Sequence, residues 1–309
     1  MFDVTKSLLQ KLELNELNTR NIELFVKRDD LIDEHVSGNK WRKLKFNVEQ
    51  AKTLKKNGIL TFGGAYSNHL VATAAACHRS GLKAIGIVRG DELNEDSNPT
   101  LRQCADFGME LHFVSRMDYA ARYEKSYHEE LNFEFPNYLI VPEGGANYYG
   151  MIGCQEILKE TTNDYDYVFV AQGTTTTSIG LALALPEITK LLVVPVLKGF
   201  DSLGEMKSLL GYTGFESSMI DDVLAKVNVL DEYHFGGYGK YTDELLDFME
   251  RVFSETNLPL DPIYTGKVLY AIQDWIIKND IKNKRVLFVH TGGIQGGKMI
   301  AKKEGRRFS

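Results

Sequence analysis

Apolar residues in this chain fall into two kinds of pattern. Short unbroken runs occur at Ile59–Phe62, Ala84–Val88, Leu139–Val141, Tyr167–Ala171, Leu191–Leu197 and Val286–Val289. Runs of that length, rich in Val, Ile and Leu, predict strands buried on both faces. Between them apolar residues recur every three or four positions. Trp41, Leu44, Val48 and Ala51 predict a helix from about residue 41, and an Ala-rich helix is expected over Leu70–His78. Further helices are predicted near residues 100–107, 150–160, 241–256 and 266–278. Strands alternating with helices imply an α/β chain, with parallel sheets covered by helices on both faces. There is no internal repeat and no low-complexity tract.

Composition narrows the class. A chain of 309 residues can bury two cores. The formal net charge of −6 provides no basic footprint for nucleic acid. No apolar run is long enough to span a bilayer. Asp3, Lys6, Lys11 and Glu13 interrupt the N-terminal segment, which lacks a secretory apolar core, so a cytoplasmic location is expected. Cys77, Cys104 and Cys154 are odd in number and widely spaced, which suits neither a disulfide framework nor a zinc site. No metal is expected.

Two segments carry candidate chemistry. The first is Ser37-Gly38-Asn39-Lys40-Trp41-Arg42-Lys43, where Lys40 stands at the mouth of the first helix behind turn residues. Read alone, Lys40, Lys43 and Lys45 could be a solvated basic face. The second is Gly63-Gly64-Ala65-Tyr66-Ser67-Asn68-His69, which joins a strand to the Ala-rich helix. Ser67 is a good N-cap there. The same helix start, with free N–H groups and a positive dipole end, suits a carboxylate. His69 could orient a bound group, or cap or pack the helix.

These segments belong to an ordered series. It runs from Val26-Lys27-Arg28-Asp29-Asp30-Leu31 through Pro142-Glu143-Gly144-Gly145-Ala146-Asn147, Asp231-Glu232-Tyr233 and Tyr238-Gly239. It continues through Asp261-Pro262-Ile263-Tyr264-Thr265-Gly266-Lys267 to His290-Thr291-Gly292-Gly293. With these motifs the chain resembles the family containing D-cysteine desulfhydrase and 1-aminocyclopropane-1-carboxylate (ACC) deaminase. These are pyridoxal-phosphate enzymes with the tryptophan synthase β-like fold (fold type II). The resemblance implies two open, twisted, mostly parallel sheets with the cofactor between the domains. A smaller domain of about residues 50–164 is inserted into a larger one formed by 1–49 and 165–309. A homodimer is implied, acting on a small amino acid.

The resemblance also assigns roles. Lys40 is the cofactor-linked lysine and the base that removes or returns the Cα proton. Ser67 holds the substrate carboxylate, with His69 beside it. Asn68 lies near the cofactor's 3′-oxygen and the substrate. Tyr238 and Tyr264 face substrate and cofactor, where a phenol could move a proton. The family's phosphate loop is Gly-rich, of the type Gly-Ser-Gly-Gly-Thr. Here strand Tyr167–Ala171 runs into Gln172, Gly173, Thr174, Thr175, Thr176 and Thr177, ahead of a helix from about Ile179. Backbone N–H groups and threonine hydroxyls can bind a phosphate dianion. A left-handed backbone at the threonines would be strained. The pairs Gly292-Gly293 and Gly296-Gly297 are a second candidate cradle.

Thr265 and Thr291 bear on the reaction, as candidate partners of the pyridine nitrogen, with Thr291 preferred. ACC deaminases carry glutamate and leucine at these places; threonine at both is the desulfhydrase-like pattern. A neutral hydroxyl leaves the ring a weaker electron sink than a carboxylate does. That suffices to expel thiolate and suits cyclopropane opening less well. The expected reaction is α,β-elimination from D-cysteine to pyruvate, ammonia and sulfide. The alternatives are ACC deamination or another D-amino-acid lyase, and a catalytically inactive protein that binds the cofactor or an amino acid.

Overall fold

The computed structural model describes residues 2–162 and 164–309. Its strands are β1 (Leu9–Leu12), β2 (Ile22–Lys27), β3 (Gly58–Gly64), β4 (Lys83–Arg89) and β5 (Met109–Val114), followed by β6 (Tyr138–Val141), β7 (Tyr167–Gln172), β8 (Lys190–Pro195), β9 (Val227–Val229) and β10 (Lys284–Val289). They form two sheets with helices on both faces, and the chain divides into two compact units. One unit comprises Met1–Asp3, Asp33–Val36 and Lys40–Gly153; the other comprises Val4–Ile32, Ser37–Asn39 and Cys154–Ser309. By this division residues 40–49 fall with the smaller unit and residues 154–164 with the larger.

The larger unit holds a six-stranded sheet in the order β1-β2-β10-β7-β8-β9. Among the described residues its β1–β2 pairing is antiparallel and the others are parallel. Leu192, Val194, Phe169, Val286 and Phe288 are buried in its core. Against them pack Val268, Leu269, Ile272 and Ile276, the apolar stripe of helix Thr265–Lys278 at spacings of one, three and four. Each such side chain contributes about 1.5–3 kcal/mol by leaving water.

The smaller unit holds the parallel sheet β5-β4-β3-β6. Its core includes Leu60, Phe62, Ile85 and Ile87. Helix Asn39–Thr53 buries the predicted stripe Trp41, Leu44, Val48 and Ala51. It also buries Arg42 and Lys43, at 0% and 3% exposure, while Lys40 and Lys45 are half-buried. Helix Tyr148–Lys159 packs closely against its backbone: a Cβ on Gly153 would stand 1.8 Å from the Arg42 carbonyl oxygen.

Two expected boundaries move. The Ala-rich helix begins at Asn68, and the helix after the threonines begins at Thr176 rather than Ile179. Among the described residues no helix is long and apolar enough to cross a membrane. Nor do any three His, Cys, Asp or Glu side chains among them gather as metal ligands would.

Candidate active site

In the smaller unit, β3 ends at Gly63-Gly64 and the chain turns into helix Asn68–Ser80. Ser67 caps that helix, its hydroxyl accepting from the Leu70 N–H at 3.3 Å. The turn depends on Gly63, where a Cβ would lie 2.7 Å from the Ser67 hydroxyl and 2.6 Å from Leu70. Ser67 is half-buried and Asn68 exposed at the helix start.

His69 neither caps the helix nor faces water. It is 4% exposed, and its Nε2 lies 2.9 Å from the Thr61 hydroxyl. That hydroxyl donates its only proton to the Val141 carbonyl at 2.7 Å, so it accepts from His69. The imidazole is therefore the Nε2–H tautomer, and its buried Nδ1 has no partner. Burial first, then the nearby charges of Lys43 and Lys40, push its pKa down to about 3. His69 is a neutral acceptor in the electrostatic reach of Lys40, in the first turn of helix Asn39–Thr53. Thr61, which fixes the tautomer, carried no sequence signal beyond its place in an apolar strand.

In the larger unit, β7 delivers Gln172, Gly173 and the four threonines to the start of helix Thr176–Ala184. None of these threonines takes a left-handed backbone; Thr175 sits at φ −77° and ψ −11°. The loop is thus built without the positive φ that would penalise β-branched residues. Gly173 gives space to an aromatic ring: its Cβ would stand 3.1 Å from Tyr264 Cε1. Thr177 accepts a hydrogen bond from the Asn39 amide at 2.8 Å. The buried Thr176 hydroxyl, the Ser178 hydroxyl and both polar atoms of the Gln172 amide have no partner.

Tyr264 precedes helix Thr265–Lys278, and Asp261 organises the turn. Its 1%-exposed carboxylate accepts from the backbone N–H groups of Ile263, Tyr264 and Thr265, and from the Thr265 hydroxyl at 2.7 Å. The Thr265 hydroxyl accepts from the Asp261 N–H at 2.9 Å. Its only proton is therefore committed, and it has none to give elsewhere. Tyr238 is 53% exposed, and its ring meets that of Tyr264 edge to face at 6.3 Å.

Thr291 ends the strand region after β10, 7% exposed. Its carbonyl accepts from the Asn39 N–H at 3.4 Å and lies where a Cβ on Gly38 would fall, at 1.9 Å. Gly38 takes φ +63°, so this approach requires glycine twice over. The second candidate cradle has another use. A Cβ on Gly293 would come within 2.9 Å of the Asp261 carboxylate, and one on Gly297 within 2.8 Å of the Leu260 carbonyl oxygen. Those glycines let their helix lie against the Asp261 turn.

The threonine loop fits a phosphate ester. It offers N–H groups at the start of a nine-residue helix, an unpartnered buried hydroxyl at Thr176 and an unpartnered amide at Gln172. Pyridoxal phosphate, when bound, supplies an electron sink for charge developing at a substrate's Cα. Residues 7–292 match the family model described as pyridoxal-phosphate dependent enzyme. A Pyrococcus horikoshii protein, provisionally named 1-aminocyclopropane-1-carboxylate deaminase, is 32% identical over 280 residues, covering 89% of this chain and 85% of the relative. The Arabidopsis thaliana bifunctional D-cysteine desulfhydrase/1-aminocyclopropane-1-carboxylate deaminase, mitochondrial, is 29% identical over 308 residues, covering 89% and 73%. A solved structure of an ACC deaminase homologue superposes with a TM-score of 0.77 at 25% identity, covering 97% of this chain and 92% of the other. The family match runs from before β1 to beyond β10 and so takes in both sheets, and the chain belongs to the D-cysteine desulfhydrase/ACC deaminase family of pyridoxal-phosphate-dependent enzymes, with the tryptophan synthase β-like fold.

Proposed function

We propose that the protein catalyses α,β-elimination from D-cysteine, yielding pyruvate, ammonia and sulfide. The observation that carries this reading is the committed Asp261 carboxylate. Four donors satisfy it, so it stays within its own turn, and Thr265 and Thr291 present no acid of their own. With the Thr265 proton committed to Asp261, Thr291 is left as the hydroxyl for the ring nitrogen, and a nitrogen that meets a neutral hydroxyl stays a weaker electron sink, adequate for a thiolate leaving group. The Arabidopsis relative is named for this activity together with ACC deamination.

In this reading Lys40 carries the cofactor, and its Nζ takes the proton from the substrate Cα. Ser67 and the free N–H groups of its helix hold the substrate carboxylate, with Asn68 and His69 beside it. Gly173 and Thr174–Thr177 hold the phosphate. A phenol, Tyr264 or Tyr238, gives a proton to the departing sulfur. A homodimer in the cytoplasm is the corresponding reading of assembly and location.

The test is the visible absorption of the pyridoxal-phosphate-loaded protein before and after D-cysteine, with pyruvate followed in parallel. D-Cysteine, L-cysteine, D-serine and ACC are compared side by side. A spectral change with pyruvate from D-cysteine supports the reading. Ammonia and 2-oxobutanoate from ACC, with D-cysteine inert, would replace it with ACC deamination. Reversible spectral change with no product from any of the four would favour a binding protein.

A further inference from the structure

Lys267 is fully buried in the larger unit, on helix Thr265–Lys278. An ammonium in such a place is costly unless its protons are used. Here Nζ donates to the carbonyl of His234 at 2.8 Å and to that of Gly237 at 3.0 Å. Those carbonyls belong to a turn with unusual backbone: Phe235, Gly236, Gly237 and Gly239 all have positive φ, at 50°, 94°, 114° and 70°. Tyr238 sits inside it. Within the turn the same two carbonyls also accept from backbone, His234 from the Gly237 N–H at 3.0 Å and Gly237 from the Lys240 N–H at 3.1 Å, so Lys267 is what ties the turn to the helix.

The rest of the helix face serves the same turn. Tyr270, one turn beyond Lys267, meets Phe235 edge to face at 5.0 Å. Asp274, one turn further, accepts from the Tyr233 hydroxyl at 2.8 Å. Positions 267, 270 and 274 lie on one face of a helix. Tyr264 stands at the N-terminus of that helix, fixed by Asp261. One rigid element therefore holds one tyrosine at its end and ties down the turn that carries the other.

We infer that Lys267 is a positioning residue for the reaction: its ammonium clamps the 234–237 turn so that Tyr238 is held against Tyr264. This rests on the reading that the two tyrosines act at the substrate. A lysine is suited to the clamp because one compact head group reaches two carbonyls at once, and an apolar residue would leave both without that donor. Burial, only partly offset by the Asp261 carboxylate, lowers the Lys267 pKa to about 8.

The experiment uses the full chain loaded with pyridoxal phosphate. Lys267→Met, Tyr238→Phe and the double variant are compared by amide hydrogen exchange over residues 234–240 and by kcat and KM for the amino acid turned over. Expected in Lys267→Met are exchange over this segment at least about tenfold faster and a kcat lower by about tenfold or more. Cofactor affinity should hold. The double variant should be no slower than Tyr238→Phe alone, because Lys267 acts through that side chain. Unchanged exchange, or losses that multiply, would overturn the inference. Full turnover by Tyr238→Phe would instead overturn the role of the tyrosine, whatever the exchange shows. If Lys267→Met does not fold, Phe235→Gly loosens the same tie from the turn's side and suits its positive φ. The same two expectations apply to it.

Discussion

The side-chain amide of Asn39 donates to the Thr177 hydroxyl at 2.8 Å, and both residues are buried. Asn39 directly precedes Lys40 in the chain, and Thr177 lies in the first turn of the threonine-loop helix. Thr177→Val keeps the shape and deletes the acceptor, leaving a buried amide proton without this partner. The expected loss is about 1–3 kcal/mol in urea unfolding. Thr177→Ser should recover most of it. A valine variant as stable as the parent would mean that this bond contributes nothing net.

Thr176 offers the opposite case. Its buried hydroxyl has no partner in the protein. Thr176→Val should therefore leave the stability of the cofactor-free protein unchanged or slightly raised, since an unsatisfied polar group is removed. Pyridoxal-phosphate affinity should fall by about tenfold, the weight of one hydrogen bond to a charged group. Absorbance titration measures it, and competition by inorganic phosphate should weaken in parallel. Unaltered affinity would take Thr176 out of the phosphate site.

Thr265 tests how the ring partner is read. Thr265→Glu imitates the ACC deaminase pattern on paper. Here the Thr265 hydroxyl lies 2.7 Å from the Asp261 carboxylate, so the glutamate would bring a second acid to a buried one. Two carboxylates cannot both ionise there without large cost. We expect elimination activity to fall together with stability, the latter by more than about 2 kcal/mol. Thr265→Glu with Asp261→Asn relieves the clash and should recover part of the stability. A stable Thr265→Glu single variant would show that the turn can open.

The fold was legible where burial is two-sided. β3, β4, β7, β8 and β10 are interior strands, and their apolar runs stood out. β5 was missed because it is an edge strand with Glu110 and His112 among its apolar residues, and β9 because three residues make no pattern. β2 alternates, with Glu23 and Phe25 half-buried, and so did not form a run. The site was legible as ordered motifs, while its internal wiring was not. Asp261 closes on residues two to four positions ahead, a link that an Asp-Pro step before a helix could have suggested. Lys267 is buried by carbonyls 30 and 33 residues away, which no local pattern encodes.

His69 should give the protein an acid-sensitive stability. Its pKa is near 6.5 unfolded and about 3 folded, because burial and the charges of Lys43 and Lys40 disfavour the imidazolium. Above pH 6.5 both states hold the neutral ring, and this group costs nothing. Below it the unfolded chain takes up a proton that the folded chain refuses. Stability is therefore lost progressively as pH falls from 6.5 toward 3. Between pH 7 and pH 5 the loss from this one group is about 2 kcal/mol. His69→Gln keeps an N–H for Thr61 and removes the titration, so its urea midpoint should fall less over that interval. Cofactor-free protein is the right material, because a bound carboxylate or phosphate would add its own pH dependence. Equal acid losses in parent and variant would assign the effect to other groups and imply that the buried ring can take a proton in the folded state.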